Sequence, residues 1–150
     1  MSQIIIREAI VDDFEAIKSL LNSASLPSVD IKKHLINFYV LENEENIIGT
    51  IGMEFYGDTA LLRSFVVKKK CQKKGYGHIL YQALISRAMK MNVKNIYLLT
   101  ETADEFFSKK GFKKLVRELV PHPIKQTNEY STLCPSDSIC MVKRLNEEGR

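Results

Sequence analysis

One short stretch of the chain concentrates the residue types and spacings that can do chemistry. Lys68, Lys69, Lys70, Lys73 and Lys74 fall within one run, interrupted only by Cys71 and Gln72, and Gly75-Tyr76-Gly77-His78 follow at once. Two glycines one residue apart let a backbone turn sharply and approach a ligand with no Cβ in the way. If a helix opens there, its first amides are unsatisfied donors at the positive end of the helix dipole. Such a turn is an anion cradle of the size of a pyrophosphate, and the lysines add charge around it. The plain alternative is a strand-to-helix loop with solvated lysines. Two nucleotide-binding patterns are excluded: Gly-x-x-x-x-Gly-Lys-Ser/Thr is absent, and the first glycine of a dinucleotide-binding turn is missing.

The cradle is useful only if the flanking elements hold it. Ahead of it, Phe38–Glu42, Ile47–Phe55 and Ala60–Val67 read as strands joined by the polar turn Asn43–Asn46 and by Gly57-Asp58, an antiparallel meander. After it, Leu80, Leu84, Ala88 and Met91 recur at helical spacing from about Gly75 to Met91, with Asn92 as the stop. Asn95–Leu99 is again a strand. Strand, long helix, strand implies a right-handed crossover and two parallel neighbours.

At the N-terminus Gln3–Arg7 reads as a strand. Asp12-x-x-Glu15 reads as the capping box of a helix with Phe14, Ile17, Leu20 and Leu21 on one face, and Asp30 as the cap of a second short helix containing Leu35. Thr102-x-x-Glu105 starts a later helix that Gly111 ends. Phe112–Val116 and Ile139–Val142 complete the strands, and Arg117–Ser138 reads as a loop with a short helix closing over something.

The 150 residues, 45% of them hydrophobic, fit one domain over 1–150 with its own core and exclude a disordered chain. No apolar run reaches membrane-spanning length and no signal-peptide pattern opens the chain, which leads to the expectation of a cytoplasmic protein without a membrane partner. The net charge, 22 − 18 = +4, is too small for a dedicated nucleic-acid binder. Only Tyr76 could stack a base near the lysines, so no specific nucleic-acid partner is expected. Cys71, Cys134 and Cys140 are an odd set, and neither they nor His34, His78 and His122 have metal-ligand spacing; no metal is expected.

Gln72-x-x-Gly75-x-Gly77, following Phe65-Val66-Val67, resembles the acetyl-CoA motif of the GNAT superfamily of N-acetyltransferases. Phe106-Phe107-Ser108-Lys109-Lys110-Gly111-Phe112 resembles a later segment of that family. Three further strings resemble a subfamily associated with arsenic resistance: Leu61-Leu62-Arg63-Ser64, Tyr97-Leu98-Leu99-Thr100-x-Thr102, and Thr127-x-Glu129-Tyr130-x-x-Leu133-Cys134-Pro135.

The resemblance implies an α/β (α+β) fold: a mixed sheet with an antiparallel N-terminal meander, a central parallel strand pair splayed to admit coenzyme A, and helices on both faces. It implies acetyl transfer from acetyl-CoA to the amine of a small, amino-acid-like or arsenical molecule. A non-catalytic acyl-CoA sensor and a protein N-terminal or lysine acetyltransferase are the alternatives, and a homodimer is left open.

By the same resemblance, the backbone of Phe65, Val66 and Val67 pairs with the pantetheine arm. Gln72 and the amides of Lys73, Lys74, Gly75, Tyr76, Gly77 and His78 hold the pyrophosphate, and Thr100 and Phe107 complete the cofactor site. The Val67 amide faces the thioester oxygen, where a fixed donor is needed. A base must take the amine proton; Glu54 and Glu101 are carboxylates near strand ends, with solvated surface positions as the plain reading. Phe107 stands where relatives have a tyrosine that protonates the departing thiolate, leaving Ser108, Tyr130 or water. Arg63 and Ser64, together with Thr127 and Glu129, are the candidates for the acceptor; a surface arginine is the plain reading of Arg63. Cys134 and Cys140 read as packed thiols.

Overall fold

The computed structural model describes residues 3–127, 130 and 138–145. Packing divides the chain into two compact units, Met1–Glu54 with Ser64–Arg87, and Phe55–Arg63 with Ala88–Arg150.

In the first unit, β1 (Ile4–Glu8) precedes α1 (Phe14–Ser23) and the single turn α2 (Ile31–His34). Then come β2 (Phe38–Asn43) and β3 (Asn46–Tyr56). The strand β4 (Thr59–Val67) and the helix α3 (Tyr76–Lys90), which follows the lysine-glycine turn, belong like β3 partly to both units. β1 pairs antiparallel with β2, from Ile4 opposite Asn43 to Glu8 opposite Tyr39. β2 pairs antiparallel with β3, with a bulge between Leu41 and Glu42. Ile17, Leu21, Ile31, Leu35, Phe38 and Val40 form the core of this unit. Removing each such side chain from water contributes about 1.5–3 kcal/mol.

The start of α1 departs from the expected capping box. Neither Asp12 nor Glu15 makes the cap; the carboxylate of Asp13 accepts the Ile10 N–H at 2.7 Å. Arg7 makes the selection. Its two terminal nitrogens donate to the two Asp13 oxygens at 2.8 and 2.9 Å, and its Nε donates to Glu42 at 2.7 Å. The Arg7 hydrogen bond is the largest influence on Asp13 and lowers its pKa, while burial pulls the other way. A depressed folded-state pKa contributes stability that is complete above the unfolded carboxyl value of about 4 and lost as pH falls through the folded value. Thermal unfolding should therefore show a drop in Tm as pH is lowered below about 4, and Asp13→Asn should flatten that limb.

In the second unit, β5 (Asn95–Thr100) pairs parallel with β4, Thr59–Leu61 against Asn95–Tyr97. The elements α4 (Asp104–Lys109), β6 (Lys113–Lys114), α5 (His122–Lys125) and β7 (Ile139–Arg144) follow. β7 pairs antiparallel with both β5 and β6. The strand order is β1-β2-β3-β4-β5-β7-β6, the mixed sheet expected from the sequence.

Two expectations change here. The strand read over Phe112–Val116 shrinks to Lys113–Lys114. Phe112 is buried edge-on against Phe107, and the Leu115 N–H donates to the Cys140 carbonyl. The start of α4 is held by Thr100, not Thr102: the Ala103 N–H donates to the Thr100 hydroxyl at 2.9 Å. At the end of α3, Asn92 adopts φ 62 and the Val93 N–H reaches back to the Ala88 carbonyl at 3.0 Å, the stop its sequence position implies. Among the described residues no helix is long and apolar enough to cross a membrane.

Candidate active site

In the first unit the site begins where β4 ends. Ser64 sits mid-strand with φ 58, a left-handed residue that breaks the in-out alternation immediately ahead of Phe65-Val66-Val67. Past the strand, the Lys68 N–H still donates to the Ile48 carbonyl at 2.7 Å. One 3-10 turn, Lys69–Cys71, then redirects the chain. The Gln72 side chain closes this turn, its Nε2 donating to the Val67 carbonyl at 2.9 Å. Gln72 therefore braces the strand end rather than presenting its amide outward.

Lys73 (φ 68) and Gly75 (φ 85) are both left-handed, so the backbone curls immediately before α3. The helix ladder opens with the Ile79 N–H on the Gly75 carbonyl at 3.3 Å, which leaves the Tyr76 and Gly77 amides ahead of it. A Cβ built on Gly75 meets nothing within 4 Å, so the space over the turn is open. Lys68, Lys69, Lys70, Lys73 and Lys74 are all exposed around it. A concave backbone with amide donors, open space and five cations fits a diphosphate.

The same unit holds a cluster that sequence reading missed in part. Glu54 is 3% exposed, not the solvated carboxylate expected as its plain reading. Its Oε2 lies 3.5 Å from Nε2 of His34, and Oδ2 of Asp30 lies 3.7 Å from the same nitrogen. One polar side-chain atom from each of the three residues lies within 4.8 Å of those of the other two. Asp30 and His34 are one helical turn apart, a spacing visible in the sequence, but nothing local ties them to Glu54. Glu101, the other candidate base, is exposed.

In the second unit Arg63 is 2% exposed, which overturns the surface reading of that residue. Phe107 is 3% exposed and meets Phe106 and Phe112 edge-on, with ring centroids at 5.1 and 5.3 Å. The Thr127 hydroxyl is engaged in its own turn, donating to the Ile124 carbonyl at 2.7 Å and accepting the Tyr130 N–H at 3.1 Å. The Arg117 guanidinium lies 5.2 Å from the Tyr130 ring centre and donates to the Ser138 carbonyl. Tyr130 packs with Tyr97 and Leu99 against the core cluster of Leu61, Val120, Ile124 and Cys140. Burial pushes the Cys140 thiol up, against a smaller opposing pull from Arg117, as expected for a packed cysteine. Glu129 and Cys134, with Leu133 and Pro135, lie outside the described residues.

Residues 34–114 match the Acetyltransferase (GNAT) domain family. An uncharacterized N-acetyltransferase of Chlorobaculum tepidum is 29% identical over 121 residues, 77% of this chain and 76% of that protein. The N-acetylglutamate synthase of Neisseria gonorrhoeae, solved with coenzyme A and N-acetyl-glutamate, superposes with a TM-score of 0.84 at 22% identity. That match covers 96% of this chain, which spans only 35% of the synthase. A Mycobacterium tuberculosis protein solved with CoA gives a TM-score of 0.80 at 19% identity, covering 95% of this chain and 99% of that one. With the family match extending from α2 through the glycine turn to the end of β6, the chain belongs to the GNAT family of acetyltransferases.

Proposed function

We propose that the protein transfers the acetyl group of acetyl-CoA to the amine of a small, amino-acid-like molecule. The observation that carries this is the turn at Lys73–Gly75, curled and open directly ahead of the first amides of α3. Bound there, acetyl-CoA supplies an activated acyl carbon. The backbone of Phe65–Val67 lines the pantetheine arm, and the lysine run meets the nucleotide phosphates. The Val67 N–H donates to the thioester oxygen, and Gln72 holds that strand end in place through the Val67 carbonyl. Glu54 takes the proton of the incoming amine.

Two things support an amino-acid acceptor. Arg63 belongs to the string that carries the subfamily resemblance, and a guanidinium there would pair with a carboxylate or a similar oxyanion. The names of relatives point the same way: an amino-acid acetyltransferase of Neisseria meningitidis is 23% identical over 93 residues, 61% of this chain and 21% of that protein. The Leu61-Leu62-Arg63-Ser64 string narrows the proposal to an amino-acid-like toxicant of the arsenic-resistance type.

The test combines calorimetry with CoA and a transfer assay over acidic amino acids, phosphorus- or arsenic-containing amino-acid analogues, polyamines and a peptide with a free N-terminus. Turnover confined to the acidic amino acids and their analogues is the expected result. The second reading, a non-catalytic acyl-CoA sensor, draws on Phe107, which has no proton for a departing thiolate, and would show binding without turnover. Phe107→Tyr is expected to raise kcat by about 10-fold, below the full range of general-acid effects, with CoA affinity nearly unchanged. A change confined to affinity would place residue 107 away from the sulfur.

A further inference from the structure

The Asp30–His34–Glu54 cluster lies wholly within the first unit and joins α2 to β3. Glu54 is buried, so a proton it accepts in turnover has no direct way out. His34 is 21% exposed at its side chain and 3.5 Å from the Glu54 carboxylate, so it touches both the buried acid and solvent. Asp30 occupies the N-cap position of α2 yet makes no side-chain cap bond. Its carboxylate, 6% exposed, is turned to the imidazole at 3.7 Å. An aspartate at a helix start ordinarily caps; here it faces a histidine one turn on. The other charged side chains of α2 are Lys32 and Lys33, both exposed, and Lys32 lies over the Phe14 ring at 5.2 Å.

We propose that His34, held by Asp30, relays to solvent the proton that Glu54 removes from the acceptor ammonium. This rests on the reading of Glu54 as the base. In the first step an N–H bond of the ammonium breaks and an O–H bond forms on Glu54, freeing the amine lone pair. In the second the O–H breaks and Nε2 of neutral His34 gains the proton. Glu54 is again a carboxylate, and Asp30 stabilises the imidazolium. The ring then gives its Nδ1 proton to water and regains its starting tautomer by exchange with solvent. One proton leaves per ammonium consumed. The 3.5 Å separation is longer than a short hydrogen bond, as catalytic contacts commonly are before substrate is bound. His34 is thus a positioning and relay residue that acts through Glu54.

The experiment measures kcat and KM between pH 6 and 9 for the unaltered enzyme and for Glu54→Gln, His34→Gln, His34→Ala and Asp30→Asn, using the fastest acceptor of the amine panel. His34→Gln should lower kcat about 10-fold or more near pH 7, with less loss at high pH, where the amine arrives already neutral. The KM for acetyl-CoA should stay within about twofold, because the thioester site is untouched. Free imidazole should restore part of the His34→Ala activity, and Asp30→Asn should shift the pH profile in the same direction. A folded His34→Gln enzyme with unchanged kcat overturns the proposal. So does a loss that is flat with pH and not rescued by imidazole. Should His34→Gln fail to fold, an unshifted Asp30→Asn profile overturns it instead. If Glu54→Gln keeps full activity, the reading of Glu54 as base fails. If Glu54→Gln is inactive while His34→Gln is normal, only the relay fails.

Discussion

Gly75→Asp is expected to abolish coenzyme A binding while leaving the protein folded. The backbone at residue 75 has φ 85, which costs an L-residue roughly 1–2 kcal/mol, less for aspartate than for most. A Cβ there meets nothing within 4 Å, so no packing is disturbed. The new carboxylate, however, stands where the proposed diphosphate sits. Each like-charge pair at about 4 Å costs from about 1 kcal/mol in water to about 4 kcal/mol near a protein surface. The affinity should fall by about 100-fold or more, equivalent to about 2.7 kcal/mol. Gly75→Ala is the control, since it carries the backbone strain without the charge and should weaken binding only several-fold. Calorimetry on both variants, with circular dichroism to verify folding, makes the measurement. Undiminished affinity in folded Gly75→Asp would remove the cradle from the mechanism.

Gly52→Ala should be the most damaging single methyl addition in the first unit. Gly52 lies opposite Phe38 in the β2–β3 register, and the Phe38 ring covers it. A Cβ at residue 52 would collide with Phe38 Cε1 and come within 2.6 Å of Cδ1 and Cζ. The ring cannot swing aside: Phe38 is 0% exposed and packed with Ile17, Leu21, Ile31, Leu35 and Val40. Overpacking a core of this kind costs about 3 kcal/mol, which for a chain of this size lowers Tm by about 6–12 °C. Shortening the obstacle should relieve the strain, so the Phe38→Leu/Gly52→Ala pair should lose less stability than the sum of the single changes. An unchanged Tm for Gly52→Ala, or strict additivity, would show that the ring does not occupy the glycine's side-chain space.

Much of this architecture was legible locally. The strand read as Ile47–Phe55 is observed as Asn46–Tyr56, and the helix read from Gly75 to Met91 as Tyr76–Lys90. Polar and glycine turns flank these segments, and a period of two or of 3.6 depends only on near neighbours. The read strand Phe112–Val116 failed for the opposite reason. Its apolar pattern belongs to Phe112 packing on Phe107, and a run of side chains does not reveal which element will bury it. The N-terminal cap moved from Asp12 to Asp13 because Arg7 and Glu42, distant from each other in sequence, select the second carboxylate.

The amino-acid order alone determined most of the strands and helices along the chain, the glycine turn and the cations beside it, since each of these is set by bonds and sterics within a few residues. Tertiary structure alone decided that Glu54 and Arg63 are buried, that Gln72 braces Val67, and that Asp30 and His34 meet a carboxylate from β3. Burial and charge pairing arise from segments brought together across the fold. The environment of an ionisable side chain is therefore a property of its spatial neighbours, and a linear pattern does not contain it.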